Sequence, residues 1–103
     1  MRIYISGPIR GVRDYRKNFR EAAGMLQSLG HSVFNPADMF GGFTLRECMR
    51  WDLLGLIDCS AIYMLDGWSQ SGGAKIEHDL ALYLGMDVYY NFDQVPDARE
   101  AEF

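Results

Sequence analysis

Residues 60–65 read "SAIYML", an apolar run with no polar alternation. A strand with one wet face alternates, whereas a run without alternation is covered on both faces, as in a parallel sheet packed between helices. Working outward, its neighbours fit that setting. Upstream, "TLRE" (44–47) has the S/T-x-x-E capping-box form and opens a helix that runs to about Ile57. Downstream, "DGWSQSGG" (66–73) is a loop, a helix covers 72–84 and stops at Gly85, and "DVYYN" (87–91) is a strand. Nearer the start, "RIYIS" (2–6) is a strand that ends at Gly7-Pro8. Tyr15, Phe19, Ala22, Leu26 and Leu29 recur at steps of four and three, which predicts a helix over 13–29, stopped by Gly30. "HSVFN" (31–35) is a further strand, "PADMFGGF" (36–43) a loop, and "FDQVPDAREAEF" (92–103) an acidic tail, irregular or weakly helical. Strand–helix alternation of this kind predicts one α/β domain over residues 1–103, with a parallel sheet of four to five strands. Ligands of such sheets bind beyond the carboxyl ends of the strands, so the site is expected among the loops 7–12, 35–43, 66–73 and from 91 onward.

The 103 residues suffice for a single modest core. A net charge of −4 argues against a nucleic-acid polymer or an anionic membrane as main partner, but a small phosphorylated ligand needs only a local positive site. No apolar run reaches a membrane-spanning length, and the N-terminus enters a strand directly, so a cytoplasmic location is expected. Cys48 and Cys59 are read as buried, reduced residues. No His, Cys or Asp grouping has metal-ligand spacing, so no metal and no cofactor are expected. His31 is read as structural, His78 points about 100° around the helix from Glu77, and neither is read as a metal ligand.

Two carboxylates stand out. In "SGGAKIEHDLALYLG" (71–85) the apolar side carries Ala74, Leu80, Ala81 and Leu84, yet Glu77 falls on it as well. In the preceding helix the stripe Leu45, Cys48, Met49, Leu53, Leu56 contains Asp52. A buried carboxylate must find a partner or take up a proton, and two at one cleft are the usual material for acid–base or nucleophilic work. The structural alternative is that each reaches water or pairs with Arg46, Arg50 or Lys75. The loop Gly7, Pro8, Ile9, Arg10, Gly11 could line a pocket, with Arg10 meeting an anion through a forked pair of hydrogen bonds. Ser71, Gly72 and Gly73 lead into a helix N-terminus and suit a phosphate or carboxylate, although Ser-Gly-Gly is also an ordinary cap. Trp51, Trp68, Tyr63 and Tyr90 are expected in the core; Trp68, in the site loop, could instead stack on a planar base. Spacing alone favours packing for Tyr4.

"YISGPIRG" (4–11), "MRWDLLGLIDCSAIYML" (49–65) and "SGGAKIEHDLALYLGMDVYY" (71–90) resemble the nucleoside 2-deoxyribosyltransferase superfamily, including the 2′-deoxynucleoside 5′-phosphate N-hydrolases. The resemblance covers most of residues 2–91 and implies a flavodoxin-like (Rossmann-like) three-layer sandwich. It implies Glu77 as the nucleophile at C1′ of the sugar, Asp52 as the acid that protonates the leaving base, and Tyr4 beside that pair. It implies Arg10 and Ser71 as phosphate contacts, and Gly7 and Gly73 as turn positions. Pro8 stands where the monophosphate hydrolases carry a serine. The resemblance further implies a homodimer or larger assembly whose neighbouring subunit completes the site, a role open to Asn91 and the residues after it. On this basis Glu77 is expected to stay ionised near its helix N-terminus while Asp52 holds a proton. The expected activity is cleavage or exchange of the N-glycosidic bond of a (deoxy)nucleoside or its 5′-monophosphate. The alternatives are a non-catalytic nucleotide-binding or sequestering module, and an interaction domain whose acids merely pair with arginines.

Overall fold

A computed structural model describes residues 1–38 and 42–100. The chain runs β1 (Arg2–Ser6), α1 (Tyr15–Ser28), β2 (Ser32–Phe34), α2 (Leu45–Ile57), β3 (Ala61–Met64), α3 (Gly72–Tyr83) and β4 (Asp87–Tyr89). Single 3-10 turns lie at Pro36–Asp38, Trp68–Gln70, Phe92–Gln94 and Ala98–Glu100. The described strands form one four-stranded sheet in the order β2-β1-β3-β4, and each neighbouring pair is parallel. This is a flavodoxin-like α/β sandwich. The chain order reverses between β1 and β3, which places the ligand crevice above those two strands. The 36–43 loop lies partly outside the described residues.

Local chemistry accounts for the element ends. Thr44 accepts from the Glu47 N–H, and the Glu47 side chain reaches back to the Thr44 N–H, so the capping box is complete. Gly30 and Gly85 follow α1 and α3 with φ of 89° and 74°, the left-handed conformation that glycine adopts without penalty.

The pleat sorts β1 onto two faces. Ile3 and Ile5 join Phe19, Ala22 and Leu26 of α1, and the tail's Val95 packs into the same layer. Tyr4 turns to the other side, with Ile62 and Met64 of β3, Leu56 of α2 and Ala74 and Ala81 of α3. One helix and the tail therefore cover one face, and α2 with α3 cover the other. His31 is structural: its Nε2 donates to the Pro96 carbonyl at 2.6 Å, while Nδ1 accepts from the Met1 amine at 3.1 Å. No described helix is long and apolar enough to cross a membrane.

Several burial expectations need correction. Leu45 and Leu84 stand exposed, at the first residue of α2 and the C-cap of α3. Trp51 is 58% exposed rather than in the core, since it lies about 100° around α2 from Asp52 and points outward. Tyr90 is also exposed, and Tyr63 and Trp68 are half-buried. Cys59 is buried, but Cys48 is only half-buried; both are free thiols.

Candidate active site

Alternation along β1 puts Tyr4 and Ser6 on the same face, directly beneath α3. Both side chains are fully buried. Glu77, in the second turn of α3, descends onto them and is only 5% exposed. The Tyr4 hydroxyl donates to Glu77 Oε2 at 2.7 Å, and the Ser6 hydroxyl donates to Oε1 at 2.6 Å. A carboxylate taken out of water thus has each oxygen held by a hydroxyl. Burial pushes the Glu77 carboxyl up to about 7; the two hydroxyls pull it down, and the charge of Asp52 adds to the rise. Tyr4 is pushed far upward by burial and then by Glu77 and Asp52, so it remains a protonated donor. Tyr4 also packs, as spacing suggested: its ring stacks on Phe34 with centroids 5.3 Å apart.

Asp52 approaches from α2. It is half-buried, and its Oδ1 is buried without a hydrogen-bond partner among the described residues. Burial pushes its carboxyl up to about 6. Burial raises both acids, but Glu77 has two hydroxyl donors that favour its ionised form, whereas the buried Asp52 Oδ1 has none among the described residues. Glu77 also lies beyond the first turn of α3, where the helix dipole has faded.

Both acids line one cavity of about 610 Å³, walled by the segments that follow β1 and β2, by α1 and α2, and by the start of α3. The loop after β1 contributes Gly7, Pro8, Ile9 and Arg10; α1 contributes Tyr15, Arg16 and Phe19. Cys48 and Met49 of α2 and Ser71, Gly72 and Gly73 at the start of α3 line it as well. Ser71 caps α3, accepting from the Ala74 N–H at 3.3 Å. A Cβ on Gly72 would meet nothing within 4 Å, and one on Gly73 only Met49 Sδ at 3.8 Å, so the backbone N–H groups there are open to a ligand. Gly7 is a glycine for a different reason: a Cβ there would sit 2.7 Å from the Leu65 Cβ.

Of the residues singled out in the sequence, Glu77, Asp52, Gly7, Pro8, Ile9, Arg10, Ser71, Gly72 and Gly73 line this cavity, and Tyr4 lies beneath it, bonded to Glu77. Gly11, Trp68 and Asn91 do not line it. Trp68 stacks on His78 at 4.2 Å, and His78 Nε2 pairs with the Tyr90 hydroxyl at 2.7 Å, so this aromatic group closes the β4 flank instead. Asn91 caps the Phe92–Gln94 turn. Ser6 was missed by sequence reasoning. The signal that could have found it is the period of two along β1, which carries Tyr4 and Ser6 to one face.

The chemistry open to this arrangement is that of a fixed carboxylate facing a second acid across a largely apolar cavity. Residues 1–90 match the model of a family described as "Domain of unknown function (DUF4406)". No curated protein matches the chain.

Proposed function

The chain belongs to the DUF4406 family, and from the chemistry of its cavity we propose that it cleaves or exchanges the N-glycosidic bond of a (deoxy)nucleoside or nucleoside 5′-monophosphate. The observation that supports this is Glu77, buried at the cavity floor with both oxygens held, beside an Asp52 oxygen that has no partner among the described residues. A purely structural carboxylate would be expected to meet a cation, and Glu77 meets two neutral hydroxyls instead.

In the first step a free lone pair of the Glu77 carboxylate attacks C1′ of the sugar. The C1′–N bond breaks, its electron pair leaves with the base, and Asp52 supplies the proton that the base accepts. Glu77 is then esterified to the sugar. In the second step water or another base attacks C1′, the ester C–O bond breaks back to the Glu77 carboxylate, and Asp52 recovers a proton from the attacking group. Two displacements give net retention. Tyr4 and Ser6 fix the carboxylate without blocking it, since each oxygen accepts one hydrogen bond and retains a second lone pair. The cycle needs Glu77 ionised and Asp52 protonated together.

The test is incubation with a panel of deoxynucleosides, ribonucleosides and their monophosphates, with detection of free base. A 2-fluoro sugar analogue should become trapped on the peptide containing residue 77. Ligand binding without release of base from any member would instead favour a nucleotide-binding module.

We also propose a homodimer. Trp51, Leu54 and Ile57 on α2 and Ile76 and Tyr83 on α3 leave large apolar groups exposed on two neighbouring helices. Sedimentation across a concentration series tests this, with Leu54→Glu expected to give a monomer.

A further inference from the structure

The chain is acidic overall, yet its charge is unevenly placed. Residues 10–20 hold Arg10, Arg13, Arg16, Lys17 and Arg20 against the single acid Asp14. This segment forms the α1 side of the cavity, where Arg10 and Arg16 both line the wall. Lys17 pairs with Glu21 at 3.9 Å, but Arg10, Arg13, Arg16 and Arg20 have no ion pair or hydrogen bond from their side chains among the described residues. The Arg16 guanidinium rests over the Tyr15 ring, 5.1 Å from its centroid. Arg20 lies one turn beyond Arg16 on the same side of α1.

Arg16 and Lys17 also stand where a helix tolerates them least. The first turn of α1 contains no acid, although the positive end of the helix dipole favours acids there and disfavours cations. The N-cap residue Asp14 makes no side-chain cap, so the first N–H groups of α1 lack the capping partner that Ser71 gives α3. Against the one acid Asp14, the four arginines of residues 10–20 leave this side of the cavity with surplus positive charge. Arg10 and Arg16 are separate cations on that wall, enough to pair with two phosphate groups.

We infer that the cavity takes a nucleoside 5′-di- or triphosphate, with one phosphate at the α3 start and the next carried along the wall to Arg16 and the start of α1. This rests on the reading of the cavity as a nucleotide site, and extends it from the monophosphate to the polyphosphate.

The test is calorimetric binding of deoxynucleoside mono-, di- and triphosphates of one base to the full chain at fixed low salt, with base release followed in parallel. The triphosphate should bind at least about tenfold more tightly than the monophosphate, as one additional charge-assisted contact provides. Arg16→Gln should reduce that ratio to about threefold or less. Arg50→Gln, on α2 away from the cavity, should leave the ratio as it is. Equal affinities in the wild type, or a ratio that survives Arg16→Gln, would overturn the inference. So would inorganic tripolyphosphate binding as tightly as the nucleotide, or a short single-stranded oligonucleotide binding more tightly than the triphosphate. If the monophosphate releases base and the ratio is one, only this inference falls. If no substrate releases base and the ratio holds, the glycosidic chemistry falls and the polyphosphate site stands.

Discussion

Ser6 and Glu77, 71 residues apart in sequence, meet through a 2.6 Å hydrogen bond in which the serine hydroxyl donates to Oε1. Tyr4, two residues back on the same strand face, holds Oε2. The pair fixes the carboxylate in position and in charge, because hydrogen bonds to the ionised form are what oppose its desolvation. Ser6→Ala removes one of them from a carboxylate that is only 5% exposed. A hydrogen bond to a charged group contributes roughly 1.5–3 kcal/mol. Base release should therefore fall by about ten- to a hundredfold, mostly in kcat, with KM changed little. The acidic limb of the rate profile should move to higher pH, since a contact that lowers the Glu77 pKa is gone. Ser6→Cys, with a weaker donor, should fall between the two. An unchanged limb in Ser6→Ala would leave the serine a packing residue only.

Glu77 and Asp52 set a narrow working range. Burial pushes one up to about 7 and the other up to about 6, and the charge of Asp52 adds to the rise of Glu77. The productive state needs one proton shared between them, on Asp52. Rate against pH should be bell-shaped, with its maximum between about 6 and 7 and limbs that belong to the pair rather than to either acid. Asp52→Asn removes the acid and also a charge that raises Glu77. The residual rate should rise once with pH, at a lower midpoint, and then stay level. A retained alkaline limb in that variant would assign the acid to another group.

Stability should run against activity at the same residue. The pKa of Glu77 is raised in the folded protein from about 4.5 to about 7, so its protonated form is the one that the fold prefers. The resulting stability is fully present below the unfolded value and is lost as pH rises through about 7. Above that pH the ionised carboxylate costs on the order of 3 kcal/mol. Glu77→Gln removes this cost, and the hydroxyls of Tyr4 and Ser6 can turn to suit the amide. The variant should release no base, yet should melt several degrees above wild type at pH 8 and close to it at pH 4. An equal or lower melting temperature at pH 8 would show that the carboxylate contributes to the fold after all.

The layer order was legible because burial on both faces, as in "SAIYML", and the stripe Phe19, Ala22, Leu26 are properties of single elements. Glu77 and Asp52 could be singled out for the same reason: each breaks an apolar stripe, and the two stripes face one side of the sheet. What a single element does not encode is where a loop turns after leaving the sheet. Trp68 and Asn91 follow their strands to the expected edge, but Trp68 is drawn toward His78 and Asn91 into a cap of its own turn. Trp51 was misread because α2 is covered on one side only, and an aromatic residue reads alike inward or outward. How deeply each acid is buried depends on what packs above it, which neither helix reveals alone.

Glycines at the cavity separate architecture from ligand access. A Cβ on Gly55 would collide with the Phe34 ring, which stacks on Tyr4, and a Cβ on Gly7 would fall 2.7 Å from the Leu65 Cβ. Neither neighbour is the loose end of a flexible chain. Gly55→Ala and Gly7→Ala should each destabilise the fold by about 1–3 kcal/mol, as overpacking does. Gly55→Ala should also displace Tyr4 from Glu77 and shift the rate profile. Gly72 is the contrasting case. A Cβ there meets nothing, and alanine suits the first turn of α3 better than glycine. Gly72→Ala should therefore keep or slightly raise the melting temperature, while its methyl intrudes on the approach to the α3 N–H groups and weakens nucleotide phosphate binding by about tenfold. Thermal melts and calorimetric titrations of the three variants decide the matter. Undiminished phosphate affinity in Gly72→Ala would remove the start of α3 from the site, whatever the other two variants do.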